Sequence, residues 1–277
     1  MADMYGFLLR PKWIGFHLLV LAGIVTMVYL GFWQLDRLDQ KQTFNARVEQ
    51  RYDEPPVPLD ELLVPSADVD DLEWRPVTVN GTFAADGSIQ IVNRSQYGRA
   101  GENTVTPMRL DDGRVLLVNR GFLPLDIDPP APPTGTVALT GRLRLSQTRT
   151  FGQLGDPADG VLELAQRVDI DRLSEQIDAD VVPMYLDVYK SVPAESAPQP
   201  EPVIAPELDE GSHLSYAVQW FIFALAVAVG WTLAVRRSIR THRAELESPA
   251  NPITETESGT PESEAEAPVR LRRYTDH

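Results

Sequence analysis

The side chains best suited to chemistry in this chain gather where an apolar run begins. His213, Tyr216 and Trp220 open the apolar run of residues 213–235, and they are spaced i, i+3 and i+7. On a helix this spacing places the three rings on one stripe, with Gln219 on the neighbouring stripe. Polar side chains this close to hydrocarbon normally face protein or a cavity rather than lipid. The spacing therefore predicts a binding surface at the start of this helix.

A second polar and aromatic group lies at the end of another apolar run, residues 13–35. Trp33, Gln34 and Arg37 leave this run together. Because both groups flank the segment between the runs, two adjacent helices would bring them to one depth. An imidazole can ligate a metal ion, and an arginine can bind carboxylates. The combination suits an amphipathic anion such as haem, with His213 on the iron and Arg37 at a propionate.

A plainer interpretation of both groups stays open at this point. His213 and Tyr216 at the boundary of a span would then hydrogen-bond lipid headgroups. Gln34 and Gln219 would serve as polar contacts between the two helices.

The two apolar runs have the length of membrane spans. Each is about 20 residues long, enough for a helix rising about 1.5 Å per residue to cross a bilayer. We expect transmembrane helices at residues 13–35 and 213–235. Basic residues border the ends of these runs that face away from the central segment, at Arg10, Lys12, Arg236, Arg237, Arg240 and Arg243.

This charge pattern predicts the topology. Basic residues favour the cytoplasmic side, so both termini are expected there and the large loop outside, in a multi-pass protein of a bacterial-type cell membrane. The expected segments are a cytoplasmic N-terminus (residues 1–12), an extracytoplasmic domain (36–190), a Pro-rich acidic linker (191–212) and a cytoplasmic basic stop followed by a disordered tail (236–277).

The histidine in the first span, His17, is predicted not to bind the same metal ion as His213 in the second span. His17 lies 16 residues before Trp33, roughly 24 Å along a helix at the standard rise. It is expected near the cytoplasmic side, whereas His213 is expected near the outer side. We therefore interpret His17 as an interfacial or packing residue.

Composition excludes several functions for the central segment. The chain has 277 residues, no cysteine and four histidines, none of which lies between residues 18 and 212. This excludes thiol nucleophiles, Ser-His-Asp sites and His-ligated zinc from the domain. Residues 36–212 carry 31 acidic and 16 basic side chains, a net charge of −15. So acidic a domain argues against a nucleic-acid partner.

The central segment is predicted to be α+β, with a mostly antiparallel sheet or small barrel. Residues 36–51 lack Gly and Pro and should continue the first helix. Alternating apolar residues predict strands from Trp74 onward, including a hairpin around Asp86-Gly87. A helix is expected near residues 169–177 and a last strand near 184–189.

A polar turn follows one of these strands, at Asn119, Arg120 and Gly121. Glycine there permits a backbone angle that other residues avoid. Arg120 has two interpretations, a ligand for a partner's carboxylate or an arginine that holds the turn itself.

Three segments carry a resemblance to a known family. Residues 30–41 read LGFWQLDRLDQK, residues 118–124 read VNRGFLP and residues 213–221 read HLSYAVQWF. In this order, and with two spans, they resemble the Surfeit locus protein 1 family over roughly residues 13–236. Phe122 departs from the pattern, because many members carry tryptophan there.

The resemblance implies an assembly factor of haem–copper cytochrome c oxidase that assists delivery or insertion of haem a into the catalytic subunit. It implies haem a, bound transiently, as the cofactor of His213, whose counterpart in bacterial members is implicated in haem a binding. It implies no catalytic reaction. The expected partners are the catalytic subunit, the respiratory supercomplex and membrane lipids. The alternative is a stably bound structural accessory subunit that transfers no haem.

Overall fold

The computed structural model describes residues 5–64, 66–195 and 198–247. The expected disordered tail falls mostly on residues 248–277, outside this part of the chain. The described residues form two compact units. One unit consists of residues 29–220, and the other of the described residues before 29 and after 220.

Four α-helices occur in the described residues. They are α1 (Pro11–Arg51), α2 (Leu59–Leu62), α3 (Ile170–Ser174) and α4 (His213–Glu247), with 3-10 turns at Gly6–Leu9 and Val69–Leu72. Helices α1 and α4 are long and apolar enough to cross a membrane, as expected. Proline suits the first position of α1, since its missing N–H would have no partner there. The predicted continuation of α1 to residue 51 is confirmed.

Eight strands lie between the two long helices. Their bounds are β1 (Val57–Pro58), β2 (Pro76–Phe83), β3 (Ile89–Gln96), β4 (Arg99–Leu110), β5 (Val115–Pro124), β6 (Thr136–Leu145), β7 (Leu164–Ala165) and β8 (Val181–Val192). The last strand, expected near residues 184–189, is present and longer than predicted.

Five of these strands close into a barrel. Around it, β2 pairs with β6, β6 with β8, β8 with β5, β5 with β4, and β4 again with β2. All of these pairs are antiparallel except β5 with β8, where Leu117 lies opposite Tyr185. Numbered along the chain, the barrel strands follow the order 1-2-3-5-4-1, which is the OB-fold topology. The predicted class, α+β with a small barrel, is confirmed.

The predicted hairpin around Asp86-Gly87 is wrong. Strands β2 and β3 are consecutive, and Gly87 has a φ of 94° that suits a turn. However, β2 pairs with β4 and β6, whereas β3 pairs with β4 and β7. Barrel closure leaves no free edge of β2 for β3, so β3 extends the sheet from the far part of β4.

Two apolar clusters explain the burial pattern. One fills the barrel, with Leu116 and Val118 of β5 pointing inward. The other covers the outside of the wall, where Leu117 of β5 meets Leu173 of α3. Strand β5 is therefore buried on both faces and reads as a continuous apolar run. Helix α3 ends at Ser174, earlier than expected, and Ile177 packs on this cluster from the following turn.

Candidate functional site

The two predicted groups meet through one hydrogen bond. Nδ1 of His213, the first residue of α4, lies 2.8 Å from Oε1 of Gln34 on α1. Both residues belong to the unit of residues 29–220. They are 179 positions apart in sequence and half-buried. The structure therefore brings together the imidazole and the amide that the sequence placed at one depth.

This contact favours one tautomer of His213. An amide oxygen only accepts hydrogen bonds, so Nδ1 of His213 is the donor. In the neutral ring, Nε2 then keeps a free lone pair. Histidines that bind metals commonly donate their other N–H to an oxygen in this way, which fixes both the tautomer and the ring orientation. With Nδ1 as the donor, the contact leaves Nε2 of His213 without a proton in the neutral ring.

A tight turn sets the start of α4 and the position of His213. Gly211 adopts a φ of 67°, and its N–H donates to the carboxylate of Asp209. A Cβ at Gly211 would lie 3.3 Å from the His213 ring. Glycine therefore suits this position for both its backbone angle and its lack of a side chain.

The other predicted residues of the group that includes His213 follow it on α4. Tyr216 is 50% exposed, Gln219 is exposed and Trp220 is half-buried. Ala217, one turn after His213 on the same stripe, is fully buried. This part of α4 thus combines a buried small residue with accessible aromatic surface.

Arg37 and Trp33 form a separate pair on α1. The Arg37 guanidinium lies 5.6 Å from the centre of the Trp33 ring and donates to Gln40 at 2.8 Å. Both Arg37 and Trp33 are exposed. Gln34 is thus the predicted α1 residue that contacts His213, while Arg37 presents its charge to the surroundings close by on the same helix.

His17 belongs to the other compact unit, where it has a partner of its own. Nε1 of Trp231 donates to Nδ1 of His17 at 2.9 Å. Trp13 lies against the same imidazole, with ring centres 5.6 Å apart. This agrees with the interpretation of His17 as a packing residue. In the part of the chain that the structure describes, no three His, Asp or Glu side chains group to hold a metal ion.

The segment that leads to α4 is held on the barrel by Arg120. We call residues 193–195 and 198–202 the strap. The Arg120 guanidinium lies 2.5 Å from a carboxylate oxygen of Glu195, and their side chains are 1% and 11% exposed. It also donates to the backbone oxygens of Pro130 and Ala131. Of the two interpretations of Arg120, the intramolecular one is confirmed.

A backbone pair holds the strap a second time. Phe122 and Glu201 exchange both N–H to oxygen hydrogen bonds at 2.8 Å. Gly121 beside them has a φ of 133°, and a Cβ there would lie 2.3 Å from the Glu201 oxygen. The Glu201 carboxylate also accepts from Arg99, and this bond lowers the pKa of Glu201. The predicted extended linker is thus fixed along the barrel.

Sequence reasoning missed Glu195 and Glu201 as partners of this turn. A signal was present, because the Pro-rich linker is acidic and the turn presents an arginine after a buried strand. A buried arginine needs a carboxylate, and a Pro-rich segment is well suited to lie extended against a barrel.

The end of α1 is fixed on the barrel by stacked cations. The Arg142 guanidinium lies 3.4 Å from the ring centre of Tyr52 and 4.6 Å from that of Tyr189. Arg144 lies 3.6 Å from the ring centre of Trp74. Such contacts are worth about 0.5–2 kcal/mol each. The chain that leaves α1 and the strap that precedes α4 are therefore both fixed on the barrel.

A half-buried carboxyl beside this stack is held by two side chains of the barrel. Asp187 accepts hydrogen bonds from Asn119 at 2.7 Å and Arg144 at 3.0 Å. Burial raises the pKa of Asp187, against the opposing charge of Arg144, and burial likewise raises the pKa of Tyr185. Asp187 is half-buried, and both of its oxygens are already bonded to side chains of the barrel.

Comparison with known proteins agrees with this architecture. A model of the SURF1 family matches residues 21–225, which include most of the apolar part of α1, the barrel and the start of α4. The chain belongs to the SURF1 family. The resemblance to Surfeit locus protein 1 is thereby confirmed.

Individual relatives match over most of their length. An uncharacterised SURF1-like protein of Mycobacterium tuberculosis is 29% identical over 259 residues, 90% of this chain and 93% of that protein. A SURF1-like protein of Monosiga brevicollis is 27% identical over 258 residues, 85% and 92% of the two chains. Surfeit locus protein 1 of Xenopus tropicalis is 27% identical over 242 residues, 79% and 74%. SURF1 proteins are known generally as cytochrome oxidase assembly factors rather than enzymes.

Proposed function

We propose that this SURF1 protein carries haem a to the catalytic subunit of cytochrome c oxidase and holds it on Nε2 of His213. The observation that carries the proposal is the 2.8 Å contact between Nδ1 of His213 and Oε1 of Gln34. It orients the imidazole and leaves the other nitrogen with its lone pair. Haem a is the cargo here, and the chain supplies a ligand and a surface.

The surroundings of His213 support this cargo. Tyr216 offers an exposed aromatic ring one turn along α4, which suits the apolar face of a porphyrin. Arg37 is exposed on α1 one turn after Gln34, and a guanidinium is well suited to bind a propionate. With one histidine as protein ligand, the bond to iron is simple to exchange, as a carrier requires.

The proposal includes a topology. Basic residues border α1 and α4 at the ends away from the barrel, so these ends are placed in the cytoplasm and the barrel outside a bacterial-type cell membrane. The His213 group then lies at the outer interface. Membrane lipids and the oxidase catalytic subunit are the proposed partners.

A deletion strain tests the function. In cells lacking this protein, we expect catalytic-subunit polypeptide to be present but deficient in haem a. The parent gene should restore the haem a content, His213→Ala should not, and His17→Ala should serve as the matched control that does. Normal haem a in the deletion strain, measured per catalytic subunit by pyridine haemochrome, would contradict a role in haem delivery.

A second candidate is a stably bound accessory subunit of the oxidase or respiratory supercomplex. The observation that favours it is the strong attachment of an acidic barrel to α1 and, through the strap, to the start of α4, since a rigid domain suits permanent docking. Stoichiometric co-purification with active oxidase, unchanged by His213→Ala, would favour this candidate over the carrier.

A further inference from the structure

Two of the connections between consecutive barrel strands are long. Residues 84–98, which include β3, join the first two barrel strands, β2 and β4. Residues 146–180, which include β7 and α3, join the last two, β6 and β8. In OB-fold barrels the loops in these two positions commonly bind ligands. The loops are therefore the first place to search for a second site.

A polar cleft lies between these two connections. Its volume is about 520 Å³, within the range of small-molecule sites. Arg94 lines it from the first connection, and Gln147, Gln153, Gln166 and Arg167 line it from the second. Thr148 and Leu154 complete the lining, so most of the lining residues carry amide or guanidinium groups, which recognise oxygen atoms.

Hydrogen bonds hold this lining in place. The Gln166 amide oxygen accepts from Asn93 at 3.1 Å, and the Gln166 backbone oxygen accepts from Arg94 at 3.2 Å. Gln147 donates to the Tyr185 hydroxyl at 2.9 Å. A ligand entering the cleft would therefore meet side chains that are already ordered, which reduces the entropy lost on binding.

The charge of the cleft is opposite to that of the domain. Arg94 is half-buried, burial lowers its pKa, and no carboxylate of the described residues forms an ion pair with it. Arg149 is exposed and follows the lining residue Thr148 in sequence, and its Nε donates at 3.0 Å to the backbone oxygen of Gln153, which also lines the cleft. Arg167 faces one carboxylate, that of Asp156, at 3.6 Å. Three guanidinium groups thus share one carboxylate in a domain of net charge −15.

We propose that the cleft between residues 84–98 and 146–180 binds a soluble small molecule through its carboxylate or phosphate oxygens, with Arg94 and Arg149 as the charged contacts. A guanidinium without a carboxylate partner is suited to bidentate binding of such groups. The acidic surroundings disfavour a polynucleotide, because its many phosphates would meet the surplus of carboxylates. This site is independent of the haem proposal and uses none of the same residues.

Calorimetric titration of the full chain tests the site. The protein, in nanodiscs of zwitterionic lipid, is titrated with citrate in one arm and pyrophosphate in the other, so that the arms separate carboxylate from phosphate chemistry. We expect saturable binding of at least one probe and at least tenfold weaker binding by the double variant Arg94→Gln, Arg149→Gln. The matched control is Arg109→Gln, since Arg109 is an exposed arginine that donates to Gly113 in the β4–β5 turn; it should bind like the parent.

Two results would overturn the proposal. One is the absence of saturable binding of both probes by the parent, and the other is equal affinity of the parent and the double variant. If circular dichroism shows that the double variant is unfolded, binding is measured with the single variant Arg149→Gln instead. Arg149 is exposed and its removal should leave the fold intact, so binding at least threefold weaker supports the site and unchanged binding refutes it.

Discussion

Removing one partner of the Arg120–Glu195 pair is expected to destabilise the barrel and release the strap. The Arg120 side chain is 1% exposed, and its guanidinium bonds to Glu195 and to two backbone oxygens. Arg120→Met keeps an unbranched stem of similar length but leaves the Glu195 carboxylate and two carbonyl groups without their donor. Glu195→Gln removes the negative charge and leaves the guanidinium buried.

The expected magnitude follows from this burial. Breaking a buried ion pair from one side costs about 3–5 kcal/mol, because the remaining charge is left without compensation. The destabilisation by Glu195→Gln should lie near the lower end of this range, because Arg120 keeps its hydrogen bonds to Pro130 and Ala131. The double variant should cost less than the sum of the single variants, by about 1–3 kcal/mol, because the two side chains are in contact.

Chemical denaturation in detergent, followed by tryptophan fluorescence, measures these free energies of unfolding. Hydrogen exchange of the strap amides, including Glu201, is measured in parallel and should rise in both single variants. The matched control is the exposed pair of Arg114 and Asp112, for which Arg114→Gln should cost less than about 1 kcal/mol. Single costs below about 1 kcal/mol that add without coupling would refute the reasoning.

Three further predictions concern the attachments of the barrel. Gly121→Ala should cost more than about 1 kcal/mol and raise proteolysis at the strap, because the left-handed φ disfavours a side chain and a Cβ would meet the Glu201 oxygen. Arg142→Lys should weaken the stack with Tyr189 by about 1 kcal/mol and thereby lower the midpoint temperature of thermal unfolding. A Lys190→Arg variant serves as the control. The pKa of Glu201 is lowered by its bond from Arg99, so this bond stabilises the fold above the ordinary glutamate pKa and is lost as pH falls through the folded pKa. Protection of the strap amides, corrected for the intrinsic exchange rate, should therefore fall on acidification below about pH 4, and Glu201→Gln should flatten that fall.

Local pattern predicted the parts of the fold that depend on neighbouring residues. The missing Gly and Pro of residues 36–51 predicted the continuation of α1, and the alternation of apolar residues after Trp74 predicted strands, among which β6 shows it clearly. The partner of β2 was mispredicted, because pairing is decided by barrel closure between strands far apart in sequence. The chain does bend at Asp86, and Gly87 has a φ of 94°, but a bend does not determine which strands pair.

The contact between His213 and Gln34 could be predicted because both residues lie on helices with a periodic sequence pattern. The position of the strap could not, because the strap has no such pattern. Helical spacing and membrane depth sufficed to propose that His213 and Gln34 lie at one level, and the structure places them in contact. Helical spacing does not determine side-chain direction, so Arg37 stacking on Trp33 was not anticipated. The contacts of Arg120 and Gly121 depend on where a Pro-rich segment lies, and such a segment carries no periodic signal.

The most direct test of the central claim is the electron paramagnetic resonance and visible spectrum of the protein purified from cells that make haem a. The account predicts a ferric haem a signal with nitrogen ligation in the parent and in His17→Ala, its loss in His213→Ala, and reduced haem occupancy in Gln34→Leu, where the imidazole loses its hydrogen-bond acceptor. An unchanged haem a content and spectrum in His213→Ala would contradict the account.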